Sequence, residues 1–178
     1  MAVREILLLG NPKLRDVSEP VVETELAELK PIIQDLHDTM MAFRHTWGAG
    51  RAIAAPQIGV MKRLVYMRIT EPIVFINPRF ENSSEQMMDV WDDCMSFPEL
   101  LVKVKRYAEI RIVYRDLDWQ AQSKALEGDL SELLQHEVDH LDGVLAVDRA
   151  SGGDAFALRS QQRFTDYDRS SLEGVSGS

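Results

Sequence analysis

Between about residues 24 and 45, apolar side chains recur every three or four positions: Leu26, Leu29, Ile32, Ile33, Leu36, Met40 and Phe43. That period predicts an amphipathic helix with one face on a core. Thr24 stands where a cap would begin it, and Pro31 falls inside, where it reads as a first-turn proline after a break. A second helical pattern runs from about Asp129 to Leu141, and Gly143 is placed to end it. Between the two helices the period changes. The runs RLVYMRI, IVFINP, LVKVK and EIRIVYRDL read as strands, the last with Ile110, Ile112 and Tyr114 on one face. EILLL near the start reads as a short strand or extended segment, broken by Gly10-Asn11-Pro12, and GAGRAIAAPQIG as a tight glycine/alanine-rich loop. A short helix is expected near 154–165. Residues 169–178, RSSLEGVSGS, have the Ser/Gly-rich composition of a disordered tail. No internal repeat interrupts this order. A helix, several strands and a second helix predict a single α+β domain over residues 1–168, with mostly antiparallel strands.

Composition narrows the function classes. A chain of 178 residues with 45% apolar and 28% charged residues can bury one sizeable core. Its formal net charge of -9 argues against DNA as a dedicated partner, because nucleic-acid binders carry a basic face. No run of about 18 apolar residues is present, so no membrane span is expected. The N-terminus lacks the cleavage site of a signal peptide. The expected location is cytoplasmic, or organellar if a transit peptide has been removed. A lone cysteine, Cys94, excludes an internal disulfide and leaves three readings: a buried small hydrophobe, a metal ligand or a nucleophile.

The chemistry concentrates in the second helix, at His136-Glu137-Val138-Asp139-His140. Side chains four apart share a helix face, so two imidazoles at this spacing can hold one divalent ion. Glu137, one position round, is set to reach water at the ion rather than the ion itself. Leu133, Leu134, Val138 and Leu141 flank the motif and predict that this helix packs on a core. A third ligand is needed. Ala146 stands where one protease class places a further histidine, Glu173 lies in the expected tail, and His37 and His45 read as structural or solvated. Cys94, in Trp91-Asp92-Asp93-Cys94-Met95-Ser96, is the better candidate, since thiolates bind iron and zinc strongly, with a buried core cysteine as the equal alternative on chemistry alone. Lys103, Lys105 and Arg106 read as one solvated strand edge.

Three motifs in order give the chain a resemblance to the peptide deformylase family. Gly50-Arg51-Ala52-Ile53-Ala54-Ala55-Pro56-Gln57 resembles G-x-G-Φ-A-A-P-Q, where Φ is apolar. Asp92-Asp93-Cys94-Met95-Ser96 resembles E-G-C-L-S, and Gln135-His136-Glu137-Val138-Asp139-His140 resembles Q-H-E-x-D-H. The resemblance covers roughly residues 3 to 150. It implies antiparallel sheets around a central helix carrying the metal motif. It also implies removal of the formyl group from N-formylmethionyl peptides, with formylated nascent N-termini as partners. It makes Cys94, His136 and His140 the ligands of one divalent ion, most often Fe²⁺, with Zn²⁺ or Ni²⁺ as alternatives. Glu137 would move the proton. The Gln57 side-chain amide and the backbone N–H of Met95 would hold the oxyanion, although Gln57 read by itself is as much a loop-bracing amide. Ribosome docking through the C-terminus is not carried over, because Arg159, Arg163 and Arg169 alternate there with Asp154, Asp166 and Asp168.

The substrate-facing positions Gly50, Arg51, Asp93 and Glu132 are where the sequence departs from this pattern. Arg51 replaces a small apolar residue, Ala52 a glycine, and Asp92-Asp93 the E-G pair. Asp93 adds a side chain and a charge where a glycine backbone would approach the peptide. Glu132, one turn before His136, takes a position that is typically apolar and lines the methionine pocket. Leu101 stands where some bacterial relatives carry a substrate-contacting arginine. Arg51 and Glu132 are expected to meet and make the pocket polar, or close it. The departures keep two alternatives open: a paralogue acting on another small N-acyl or formamide substrate, and a non-catalytic metal-bound binding protein.

Overall fold

A computed structural model describes residues 2–167; the tail expected over 169–178 lies outside them. The main elements are α1 (Leu26–Trp47), β1 (Ala52–Ala54), β2 (Leu64–Arg68), β3 (Pro72–Ser83), β4 (Met87–Asp93), β5 (Leu100–Tyr107), β6 (Glu109–Arg115), β7 (Ala121–Glu127), α2 (Gly128–Leu141) and β8 (Phe156–Leu158). They form an α+β arrangement of two antiparallel sheets, one of five strands in the order β1-β2-β3-β6-β7 and one of three in the order β4-β5-β8.

Strand alternation explains how the layers stack. Leu64, Tyr66, Val74 and Ile76 leave one face of the larger sheet and pack with Leu29, Leu36 and Met40 of α1. Val65, Met67 and Phe75, the intervening residues, leave the other face and meet Leu133, Leu134, Val138 and Leu141 of α2. The far side of α2 faces the smaller sheet, where Val102 and Val104 pack with Cys94, Phe97 and Leu145. Every residue of α2 from Leu133 to Leu141 is therefore buried.

Several expectations shift in detail. Residues 5–9 form no strand; they run extended, with the Leu7 N–H on the Gln57 carbonyl at 2.8 Å and the Leu9 N–H on the Ser96 carbonyl at 2.8 Å. The helix expected to begin at Thr24 opens instead with a 3-10 turn over Glu23–Glu25, and Thr24 makes no cap. Pro31 lies inside α1, where both it and Ala27 are exposed, so water can reach the carbonyl that loses its donor. The expected glycine/alanine loop contains β1 and a 3-10 turn over Ala55–Ile58. β3 runs past Pro78 because Asn77, at φ 51°, and Pro78 sit at a register shift, where a missing N–H breaks no ladder bond. The short helix expected near 154–165 is β8 followed by a 3-10 stretch over Arg159–Phe164.

Gly143 does end α2, and its surroundings allow nothing larger. It has φ +69°, and a Cβ built on it would lie 2.4 Å from the Arg15 carbonyl oxygen. Gly143→Ala is expected to destabilise the fold by at least about 2 kcal/mol in denaturant unfolding, since both the left-handed backbone and the backbone contact resist a side chain. A loss below about 0.5 kcal/mol would show that the Arg15 segment yields freely.

Candidate active site

Three separate segments bring polar side chains into one buried place. Helix α2 presents His136, Glu137 and His140; Cys94 follows the end of β4; and Gln57 lies on the 3-10 turn after β1. All five are at most 5% exposed. The His136 and His140 Nε2 atoms are 3.1 Å apart, and Cys94 Sγ is 3.2 Å from His140 Nε2. One ligand atom from each of Cys94, His136 and His140 can be chosen so that all lie within 4.8 Å of one another. Metal bonds of about 2.0–2.3 Å at tetrahedral angles put ligand atoms about 3.3–3.7 Å apart. The donor set therefore fits a single ion with little movement. The remaining histidines are elsewhere: His37 Nδ1 is 2.8 Å from the Tyr66 hydroxyl and His45 is exposed.

A network of ionic side chains fixes the first imidazole. His136 Nδ1 lies 2.8 Å from Asp92 Oδ1, which turns Nε2 towards Cys94 and His140. Asp92 Oδ2 accepts from Arg106 Nη2 at 2.6 Å, Arg106 Nη1 also donates to Asp139, and Arg149 Nε donates to Asp139 at 2.6 Å. Arg106, 2% exposed, is thus no part of a solvated strand edge. The alternation Val102, Val104, Arg106 along β5 turns it inward, and that period is the signal the sequence carries for it. Burial opposes charge on Asp92, but His136 and Arg106 prevail and hold its carboxyl well below the usual range. Burial likewise opposes a proton on His136, yet Asp92 and Cys94 hold that proton on strongly. His140 is driven the other way, by burial and by its charged neighbour.

The groups that would meet a substrate are also held. Gln57 Oε1 accepts the Ala54 N–H at 2.9 Å, which points Nε2 at the site, 3.3 Å from Ser96 Oγ and 3.6 Å from Cys94 Sγ. The amide braces its loop and offers a donor at once. Among the described residues, the Met95 N–H has no acceptor. Glu137 is 3% exposed and its Oε2 has no partner among them. Burial pushes its carboxyl up to about 7.

Gly50, Arg51, Asp93 and Glu132 all line the cavity that opens on these groups, a space of about 200 Å³. Gly50 has φ +120°, and a Cβ there would touch Met95 and Phe43. Its carbonyl is already taken by Arg44, at 2.6 and 2.8 Å. Arg51 and Glu132 do meet, Nη2 to Oε2 at 3.2 Å. Burial and the nearby Asp92 carboxylate push the Glu132 carboxyl up, while Arg51 acts against them. Asp93 turns away to accept from Arg159 Nη2 at 2.8 Å. That pair, and the bond from Trp91 Nε1 to Asp166, tie residues 156–167 beside the cavity, where Asp166 and Tyr167 join its lining. No periodic pattern in the chain marks those two residues.

The comparisons with known proteins agree with this geometry. The family model described as polypeptide deformylase matches residues 3–155. A peptide deformylase of Rhizobium meliloti is 38% identical over 157 residues, which are 85% of this chain and 87% of that protein. The crystal structure of a peptide deformylase from Legionella pneumophila superposes with TM-score 0.77 at 35% identity, over 84% of this chain and 87% of that one. The Thermotoga maritima peptide deformylase gives TM-score 0.78 at 31% identity, over 85% of this chain and all of that one. With the family model spanning most of its length and relatives of this similarity, the chain belongs to the polypeptide deformylase family.

Proposed function

We propose that this protein removes the formyl group from formylated peptide N-termini, by hydrolysis at an ion held by Cys94, His136 and His140. The observation that carries the reading is convergence: three buried metal-type donors, an unpartnered buried carboxyl and a braced amide donor surround one cavity. The described residues act as one catalytic unit, with the metal-bearing helix α2 packed between the two sheets. A thiolate with two imidazoles suits Fe²⁺, Zn²⁺ or Ni²⁺, and Fe²⁺ is the ion we infer for the cell.

The ion supplies Lewis acidity and lowers the pKa of water at the site. Glu137 takes a proton from the attacking water and hands it to the leaving amine nitrogen as the formyl C–N bond breaks, giving formate and a free amino terminus. Gln57 Nε2 and the Met95 N–H donate to the oxygen on which negative charge grows. They are held before reaction, by Ala54 in the first case and by the turn after β4 in the second. Asp92 fixes the His136 ring so that Nε2 rather than Nδ1 serves as ligand. Gly50, Arg51, Asp93 and Glu132 form the substrate-facing wall. Substrate reaches this site as a chain end, and no helix among the described residues is long and apolar enough to cross a membrane.

The test is formate release from formyl-Met-Ala-Ser and related formylated tripeptides, with metal content measured in parallel. Release should stop when a chelator removes the ion and return when Fe²⁺, Zn²⁺ or Ni²⁺ is added. Cys94→Ala should lose the ion and the activity together. Undiminished turnover in fully demetallated protein would reject the proposal.

A further inference from the structure

The wall beside His136 is polar, and it borders the same cavity as Gln57, Cys94 and Glu137. Glu132 is one helical turn before His136, and Leu133 accompanies it into the same cavity. Arg51 enters from the opposite side, from the residue just ahead of β1. Their side chains are 13% and 15% exposed, so the contact at 3.2 Å is mostly withdrawn from bulk water yet still borders the cavity. Any group that fills this space removes the remaining water from a guanidinium and a carboxyl group. An apolar group does so with nothing in return, whereas a hydrogen-bonding group replaces the lost water.

The sign of charge is constrained as well. The guanidinium already faces a carboxyl, so that pair offers no free carboxylate to hold a cationic side chain. Of the other carboxylates lining the cavity, Asp93 is engaged by Arg159, Asp166 by Trp91 and Asp89 by Lys105 at 3.9 Å, while the exposed Asp129 at the start of α2 has no ion-pair partner among the described residues. What the wall offers is a set of donors on Arg51 and acceptors on Glu132, close together.

Resting on the deformylase reading above, we propose that Arg51 and Glu132 are specificity-determining residues, and that the preferred formamide substrate carries a neutral, hydrogen-bonding side chain next to the formyl nitrogen. Glutamine and asparagine side chains, each with a donor and an acceptor, match that wall; methionine does not.

Three formylated tripeptides that differ only in the first residue separate the outcomes: formyl-Gln-Ala-Ser, formyl-Met-Ala-Ser and formyl-Lys-Ala-Ser. With metal-loaded protein, kcat/KM should favour glutamine over methionine by about 10-fold or more, because a site built to hydrogen-bond discriminates against an analogue that lacks the partner. The double substitution Arg51→Leu with Glu132→Leu should reverse that order, and Glu132→Gln alone should keep it. Calorimetric binding of the product peptides Gln-Ala-Ser and Met-Ala-Ser gives the same ranking without turnover. Metal content and an unfolding curve for each variant show whether it has folded; Arg51→Leu alone, which should shrink the glutamine preference, serves if the double variant has not. Formate release with methionine or lysine preferred, or a glutamine preference that the leucine variants leave unchanged, would overturn the specificity proposal alone. No formate from any peptide would overturn both this proposal and the activity on which it rests.

Discussion

Replacing Glu137 by glutamine is expected to lower kcat/KM for formate release by about 10²–10⁴-fold, the range that a positioned general acid/base contributes, while bound metal is retained. Glutamine keeps the size and hydrogen-bonding reach of the side chain but cannot carry a proton between water and amine. The native carboxyl suits that task because burial pushes it up to about 7, where it accepts and gives up a proton near neutral pH. Its unpartnered Oε2 is not engaged in holding the helix. The three proposed ligand side chains are untouched, so metal content separates loss of proton transfer from loss of the ion. Glu137→Ala should fall at least as far. Equal rates in wild type and variant would remove Glu137 from the mechanism, and with it the enzymatic role assigned to this helix.

Substitution of Arg106 by methionine should destabilise the protein by about 3–5 kcal/mol, because removing one partner strands buried charge. Arg106 donates to Asp92 and to Asp139, and these carboxylates are 1% and 6% exposed. Asp139 keeps Arg149, so most of the loss should arise at Asp92. Asp92 also orients His136, so metal affinity should fall by about 10–100-fold alongside stability. A double variant, Arg106→Met with Asp92→Asn, should be less destabilised than the sum of the two single variants, since the stranded charge is then gone. Denaturant unfolding of the metal-loaded proteins, with metal competition by a chelator dye, measures both effects. A loss under about 1 kcal/mol would mean that the carboxylates find other partners when Arg106 is removed.

The two predictions concern residues that are unequally visible in the sequence. Glu137 stands out because His136 and His140 are spaced on a 3.6-residue period, and helix geometry alone then sets where its carboxyl lies. Arg106 reads as solvated because it follows Lys103 and Lys105, so that charge dominates the pattern. The inward alternation Val102, Val104, Arg106 is equally present, but a buried arginine is stable only if carboxylates converge on it. Those carboxylates lie on β4 and α2, 14 and 33 residues from Arg106 in the chain, and no local pattern shows that both turn towards it. The strands β4 and β7 are hidden for a related reason. Most of their residues are only partly buried or exposed, so no apolar alternation marks them.

The sequence by itself determined the α+β class, the two long helices, the second of which carries His136, Glu137 and His140, and, through motif resemblance, the association of Cys94 and Gln57 with them. These follow from local periodicity and from short motifs whose spacing is set by one helix turn or one loop. Only the tertiary structure decided that the ligand atoms of Cys94 and His140 stand 3.2 Å apart, that Arg106 lies beneath His136 through Asp92, and that Arg159 draws Asp93 aside. The meeting of Arg51 with Glu132, expected from the motifs, became a contact of 3.2 Å between residues 81 apart in the chain. Such contacts are properties of packing: they depend on the angle at which two sheets close on one helix, and no local pattern of residues encodes that angle.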